Sequence, residues 1–126
     1  MAHLTTAGLE AGLPRNYVRC CLALLVAEAP AHGYRLMESI SQLGIRCNDA
    51  GFVYRTLRAM EADHHVASSW EESASGPARR TYRLTEAGVE WLNRSATSLA
   101  GTHGCLAAYL HRHRRLNETG QPRQTA

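Results

Sequence analysis

The sequence predicts a mostly helical α+β domain with a two-stranded hairpin and further helices at its C-terminal end. Three features carry this. Apolar residues recur at helical spacing in three short segments before His65, the period then switches to two, and helical spacing returns after Leu84. At 126 residues and 13.9 kDa the chain has room for one ordinary domain. Its 44% hydrophobic and 20% charged residues place it among chains that bury a core.

Residues 1–13 are small and polar, lack periodicity and are expected as a flexible arm. From Pro14 onward Tyr17, Cys20, Cys21, Leu24 and Leu25 fall at i, i+3, i+4, i+7 and i+8, predicting a first helix over about 15–28 that Pro30 stops. A second helix over about 32–43 places Leu36, Met37, Ile40 and Leu43 on one face, with Gly44 as its C-terminal cap. Asn48 or Asp49 can cap a third, in which Val53, Leu57 and Met60 face inward and Tyr54, Arg55 and Arg58 outward. Val66, Ser68 and Trp70 then alternate with Ala67, Ser69 and Glu71, and a strand over about 79–84 answers them across a Ser75-Gly76-Pro77 turn. Thr85 caps a fourth helix to about Ser98, with Ala87, Trp91 and Leu92 as its apolar stripe. Gly101 and Gly104 are expected to break it before a last helix from about Cys105 to Leu116. The expected organisation is an arm (1–13), a core (14–84), C-terminal dimerisation helices (85–116) and a disordered tail (117–126).

Three short helices followed by a hairpin form the winged helix-turn-helix arrangement, whose third helix enters a DNA major groove while the wing tracks the backbone. The chemistry agrees. Tyr54, Arg55 and Arg58 share the outer side of the third helix, with Asn48 and Gly51 near its start, and the wing carries Arg79 and Arg80. Arginine can pair with phosphates or fork onto guanine O6 and N7. A solvated charged helix face is the plainer alternative. Residues 44–84 hold six Arg against five acids, so Asp49, Glu61 and Asp63 would have to turn away from phosphates or oppose loose binding.

These residues resemble the PadR-type winged-helix transcriptional regulators. Ala31-His32-Gly33-Tyr34-Arg35-Leu36 is similar to the family's His-Gly-Tyr opening of helix two. Gly51-Phe52-Val53-Tyr54-Arg55-Thr56-Leu57 is similar to its Gly-x-x-Tyr-x-x-Leu recognition helix, and Arg80-Thr81-Tyr82-Arg83-Leu84-Thr85-Glu86-Ala87-Gly88 to its wing exit. Where the family has Glu-Glu-Gly-Leu, this chain has Ala62-Asp63-His64-His65, which puts His64 where a glycine would supply positive φ. The short C-terminal part resembles the family's compact form. Arg15-Asn16-Tyr17, Cys20-Cys21-Leu22 and the Gly-Pro-Ala-Arg-Arg wing look closest to the poly-β-hydroxybutyrate-responsive repressors. That branch implies a hydroxybutyrate-related polymer or metabolite as effector.

The resemblance implies a repressor that binds double-stranded DNA. We expect a homodimer on an inverted-repeat operator, joined through helix one, helix four and the final helix, and released by a small molecule. Trp91, with Tyr17 and Cys21, is the candidate effector-binding group, since an indole offers a flat apolar wall and one donor. A core anchor is the plainer reading of Trp91.

All 14 cationic side chains are Arg, which excludes Schiff-base lysines and the Gly-Lys-Ser/Thr phosphate loop. No nucleophile–base constellation or cofactor loop is present, so an enzyme is not expected. The net charge of +3 and pI near 8.9 permit a polyanionic partner without requiring one. Cys20, Cys21, Cys47 and Cys105 form no Cys-x-x-Cys pair, and His103 with Cys105 is the best of several poor metal-ligand spacings. Neither a bilayer-length apolar run nor a signal segment appears, and the expected location is the cytoplasm. The competing functions are a winged-helix protein-interaction module without DNA binding and a metal- or thiol-responsive regulator.

Overall fold

The computed structural model describes residues 4–5, 13–46, 50–73 and 76–120, which divide into two compact units, 1–93 and 94–126. In order come β1 (Leu4–Thr5), α1 (Tyr17–Glu28), β2 (Ala31–His32), α2 (Gly33–Ser39), a 3-10 turn (Ile40–Leu43) and β3 (Ile45–Arg46). Then follow α3 (Ala50–Ala62), β4 (Val66–Ser73), β5 (Gly76–Leu84) and α4 (Glu86–Glu118).

Apolar spacing sets the first unit. Leu22, Leu36, Ile40, Ile45, Val53, Leu57 and Met60 are each at most 1% exposed and meet in one core. Their burial is the main stabilising term, at roughly 1.5–3 kcal/mol per large side chain. The second helical stretch is an α-helix that tightens into the 3-10 turn, and Gly44 ends it at φ 89°, in the left-handed region open to glycine.

The buried face of α1 is Val18, Cys21, Leu22 and Val26, and Leu24, expected inside, is 40% exposed. The apolar run there is nearly continuous, so its periodicity leaves the phase open and packing chooses it. In α4 the stripe is likewise displaced: Gly88, Trp91 and Leu92 face the core and Ala87 is exposed. Thr85 sets that phase as N-cap, its Oγ1 accepting from the Gly88 N–H at 3.0 Å.

The hairpin is part of a three-stranded sheet of order β2-β5-β4. Residues Ala31 and His32 pair with Tyr82 and Thr81, a strand too short to announce itself in the sequence. Gly76 and Pro77, expected as turn residues, begin β5, and Ser75 lies outside the described residues. Within the expected arm, Leu4–Thr5 pair in parallel with Ile45–Arg46.

The largest departure is α4, a single helix of 33 residues with no break at Gly101 or Gly104. Each glycine costs a helix about 1 kcal/mol relative to alanine, but strong formers such as Leu99, Ala100, Leu106, Ala107 and Ala108 surround both and no proline intervenes. The helix also includes Asn117 and Glu118, expected in the tail.

His64 adopts φ 63°, taking the left-handed conformation a glycine would otherwise supply. Its neighbours hold it there: Thr85 Oγ1 donates to the His64 carbonyl at 2.5 Å, and the Thr85 N–H donates to the His65 carbonyl at 3.0 Å. A left-handed non-glycine residue costs roughly 1–2 kcal/mol. His64→Gly should therefore raise the unfolding free energy by about 1 kcal/mol in urea titrations.

Candidate nucleic-acid interface

Helix α3 is fixed by Val53, Leu57 and Met60, all fully buried at i, i+4 and i+7. That anchoring turns Arg55 and Arg58 outward, and both are exposed. Tyr54 is half-buried, its ring lying so close to Gly33 that a Cβ there would overlap it. The opening of α2 thus positions the phenol beside the arginines. Gly51 sits half-buried in the first turn, while Asn48 and Asp49 lie outside the described residues.

Two of the acids that could oppose a polyanion are engaged elsewhere. Glu61 Oε2 accepts from Ser68 Oγ at 2.7 Å, tying α3 to the wing. Asp63 Oδ2 pairs with Arg19 at 2.5 Å, and that hydrogen bond holds its carboxyl below the ordinary carboxylate value.

On the wing, Trp70 pairs with Arg80 and Glu71 with Arg79. Strand alternation puts adjacent Arg79 and Arg80 on opposite faces, a distinction that their sequence does not show. Arg80 shares the face of buried Tyr82, and its guanidinium lies 5.1 Å from the Trp70 ring centroid. Burial raises the Tyr82 pKa. Between this face, α2 and α3 opens a cleft of about 810 Å³ bordered by Tyr34, Arg35, Tyr54, Trp70, Arg80 and Tyr82. Tyr34, Arg35 and Trp70 were not picked out as site residues from the sequence. Their signal is two aromatics that the fold leaves 62% and 66% exposed, which only strand register and helix placement disclose.

The candidate effector residues fall into two groups. Tyr17 donates its hydroxyl to the Leu43 carbonyl at 2.9 Å, and Cys21, one turn on, is buried with its thiol pKa pushed up to about 11 by desolvation. A thiol this buried and weakly acidic is a poor redox sensor. Trp91 instead stacks on His65, ring centroids 5.4 Å apart at 28°, with the Arg19 guanidinium 5.6 Å from the indole. Arg19 also reaches His65 Nδ1 at 3.2 Å, and it lies about 200° round α1 from Tyr17. Among the described residues no group of three His, Cys, Asp or Glu is placed to hold a metal ion; His103 and Cys105 are both exposed on α4. Cys47 lies outside the described residues.

The Arg19–Asp63 pair makes stability pH-dependent. Because the folded protein holds the Asp63 carboxyl below its ordinary value, the pair contributes above the unfolded-state pKa. That contribution disappears as pH falls through the lowered folded value. Asp63→Asn should lower stability at neutral pH and leave it unchanged below the folded value, so that the acid side of the curve flattens, read by urea unfolding at stepped pH.

The "Transcriptional regulator PadR-like family" pattern matches residues 21–94. No curated protein matches the chain. Among solved structures, a conserved protein of unknown function described as a potential transcriptional factor is 28% identical, with TM-score 0.71 over 86% of this chain and 99% of that one. A PadR family transcription regulator from Clostridium difficile shares the fold at 20% identity and TM-score 0.66, covering 75% and 98% of the two chains. A PadR-like regulator from Bacillus cereus does so at 20% and 0.67, covering 76% and 93%. The family regulates transcription by binding DNA and is not one of enzymes. With more than half its length matched and the winged-helix core in place, the chain belongs to the PadR-like family of transcriptional regulators.

Proposed function

We propose that this protein is a repressor that occupies an inverted-repeat operator as a homodimer and leaves it when a small molecule binds. The observation that carries the DNA reading is the outward basic face of α3, Arg55 and Arg58 beside Tyr54, with the wing's Arg79 and Arg80 in the same compact unit. In this reading α3 lies in the major groove, Gly51 in its first turn and Asn48 just before it in sequence add contacts, and the wing arginines hold phosphates.

The exposed side of α4 supports dimerisation through residues 85–116. Leu99, Leu106 and Leu110 share one side of the helix, and Leu106 and Leu110 are 55% and 54% exposed, an apolar stripe that a second copy would cover. Two-fold symmetry then sets half-sites about one helical turn apart. A promoter-bound role places the protein in the cytoplasm, and among the described residues no helix is long and apolar enough to cross a membrane.

For release, the effector must bind the DNA-incompetent arrangement of the reading helices more tightly than the competent one. Trp91, on the Arg19–His65 side of α1, is the first proposed contact, with Tyr17 and Cys21 proposed on the other side of that helix, and the branch resemblance makes hydroxybutyrate-related metabolites the first to titrate. Selection of duplex fragments by the protein, followed by sequencing, tests the whole reading. An inverted repeat bound with a steep inverse salt dependence is expected. Retention without salt dependence or sequence preference would favour a protein-interaction module instead.

A further inference from the structure

The turn between α3 and β4 gathers a side-chain cluster that lies apart from the basic face of α3 and from the wing arginines. Arg19 Nη2, on α1, donates both to Asp63 Oδ2 at 2.5 Å and to His65 Nδ1 at 3.2 Å. Arg19 Nε is buried with no hydrogen-bond partner among the described residues. A guanidinium only donates, so His65 Nδ1 accepts, and the ring is neutral with its proton on Nε2. That ring stacks on Trp91 of α4, and the Arg19 guanidinium lies 5.6 Å from the same indole. The His65 backbone is a junction as well. Its N–H donates to the Met60 carbonyl at 2.9 Å, closing the last turn of α3, and its carbonyl accepts from the Thr85 N–H at 3.0 Å. Gly88 of α4 is pressed against that carbonyl so closely that a Cβ would overlap it. One residue thus joins the end of α3, the start of the wing at Val66 and the root of α4, and Arg19 ties its side chain to α1.

We propose that His65 is a proton-operated latch: the neutral ring, held by Arg19, fixes the end of α3 against α1 and α4, and the protonated ring releases Arg19, so that mild acid loosens α3 and weakens DNA binding. A protonated Nδ1 carries a hydrogen where Arg19 points its own, and two cations then share one indole. The charged and titratable groups around the ring are Arg19 from α1, Glu61 at the end of α3, Asp63 and His64 in the turn, and the exposed Glu86 and Glu90 of α4. Glu61 is bonded to Ser68 and Asp63 to Arg19. The Asp63 carboxyl, held below its ordinary value by that bond, stays ionised while imidazoles titrate, so the Arg19–Asp63 pair outlasts the Arg19–His65 bond as pH falls. The effect on DNA rests on the DNA-binding reading above; the latch itself does not.

The test reads Trp91 directly in the full-length chain. Trp70→Phe leaves it the sole indole, and an imidazolium stacked on an indole quenches its emission. The Trp70→Phe chain should therefore dim in one step as pH falls from about 8 to about 5, the range in which imidazole titrates. Adding His65→Asn, whose amide oxygen accepts from Arg19 but takes up no proton, should remove the step, and His64→Gly should keep it. Arg19→Gln takes away the opposing cation and frees Asp63, so the step should move to higher pH. Without the Trp70 change, affinity for a selected operator should fall between the same limits by roughly tenfold more than in His65→Asn, the scale of one hydrogen bond to a charged group. A mixed-sequence duplex should respond less, since base reading by α3 is what loosens. A step that persists in His65→Asn, or none in the Trp70→Phe chain, would overturn the latch. Should His65→Asn fail to fold, an unmoved step in Arg19→Gln would do the same. Equal acid responses of operator affinity in the native and His65→Asn chains, with the emission step present, would refute the control of DNA binding. No binding of any duplex by the native chain at pH 8 would sink the DNA reading alone, and the emission step would still decide the latch.

Discussion

Replacing Arg55 and Arg58 together by Ala should cut operator affinity by about thirtyfold or more at fixed salt, from about 1–3 kcal/mol per base-reading arginine. Both side chains are exposed on a helix whose other face is fully buried, so the fold should survive. The melting transition should move by no more than a few degrees. Electrophoretic mobility shift with a selected operator, beside circular dichroism of the same sample, separates recognition from folding. A double variant that binds its operator as the native chain does would remove α3 as the reading helix. Discrimination between operator and mixed duplex should collapse along with affinity in this variant. A pure phosphate contact would instead weaken both duplexes equally.

Gly88→Ala should be among the most damaging single-methyl changes in the protein. A Cβ at Gly88 would run into the backbone carbonyl of His65 and sit 3.0 Å from Leu84 Cδ1. Backbone cannot move aside as a side chain can. The same carbonyl accepts from the Thr85 N–H, and Thr85 caps the helix at Gly88, so shifting α4 outward would also strain the cap. The expected loss is about 3 kcal/mol, the upper range for overpacking, although alanine is the better helix former. Chemical unfolding would show it as a lowered midpoint with little change in slope. Gly101→Ala and Gly104→Ala are the controls: a Cβ at either meets nothing within 4 Å, and each should raise helix stability by up to about 1 kcal/mol.

Much of the core and of α3 was legible in the sequence. Val53, Leu57 and Met60 lie at a spacing that only a helix puts on one face, and Leu36 with Ile40 does the same for the preceding element, so periodicity alone separated buried from outward residues. The arginines of α3 followed from that separation. The capping hydroxyl of Thr85 and the glycine after Leu43 are local signals, written within a few residues of what they control.

What the tertiary structure decided are the features that depend on residues far apart in the chain. Pairing of β2 with β5 joins His32 to Thr81, and no window of sequence contains both. The register of β4 on β5 set Trp70 against Arg80 and parted Arg80 from Arg79, because a pleated strand alternates its faces and only the partner strand says which face is inside. In α1 the apolar residues outnumber one face, so docking against Leu36, Ile40 and Leu57 chose Val18 and Leu22 over Leu24. Gly88 carries its meaning through His65, and Tyr54 through Gly33. Local propensity is a property of neighbouring residues and can be read along the chain. Steric fit and cross-strand pairing belong to pairs brought together by folding, and they exist only once the core has closed.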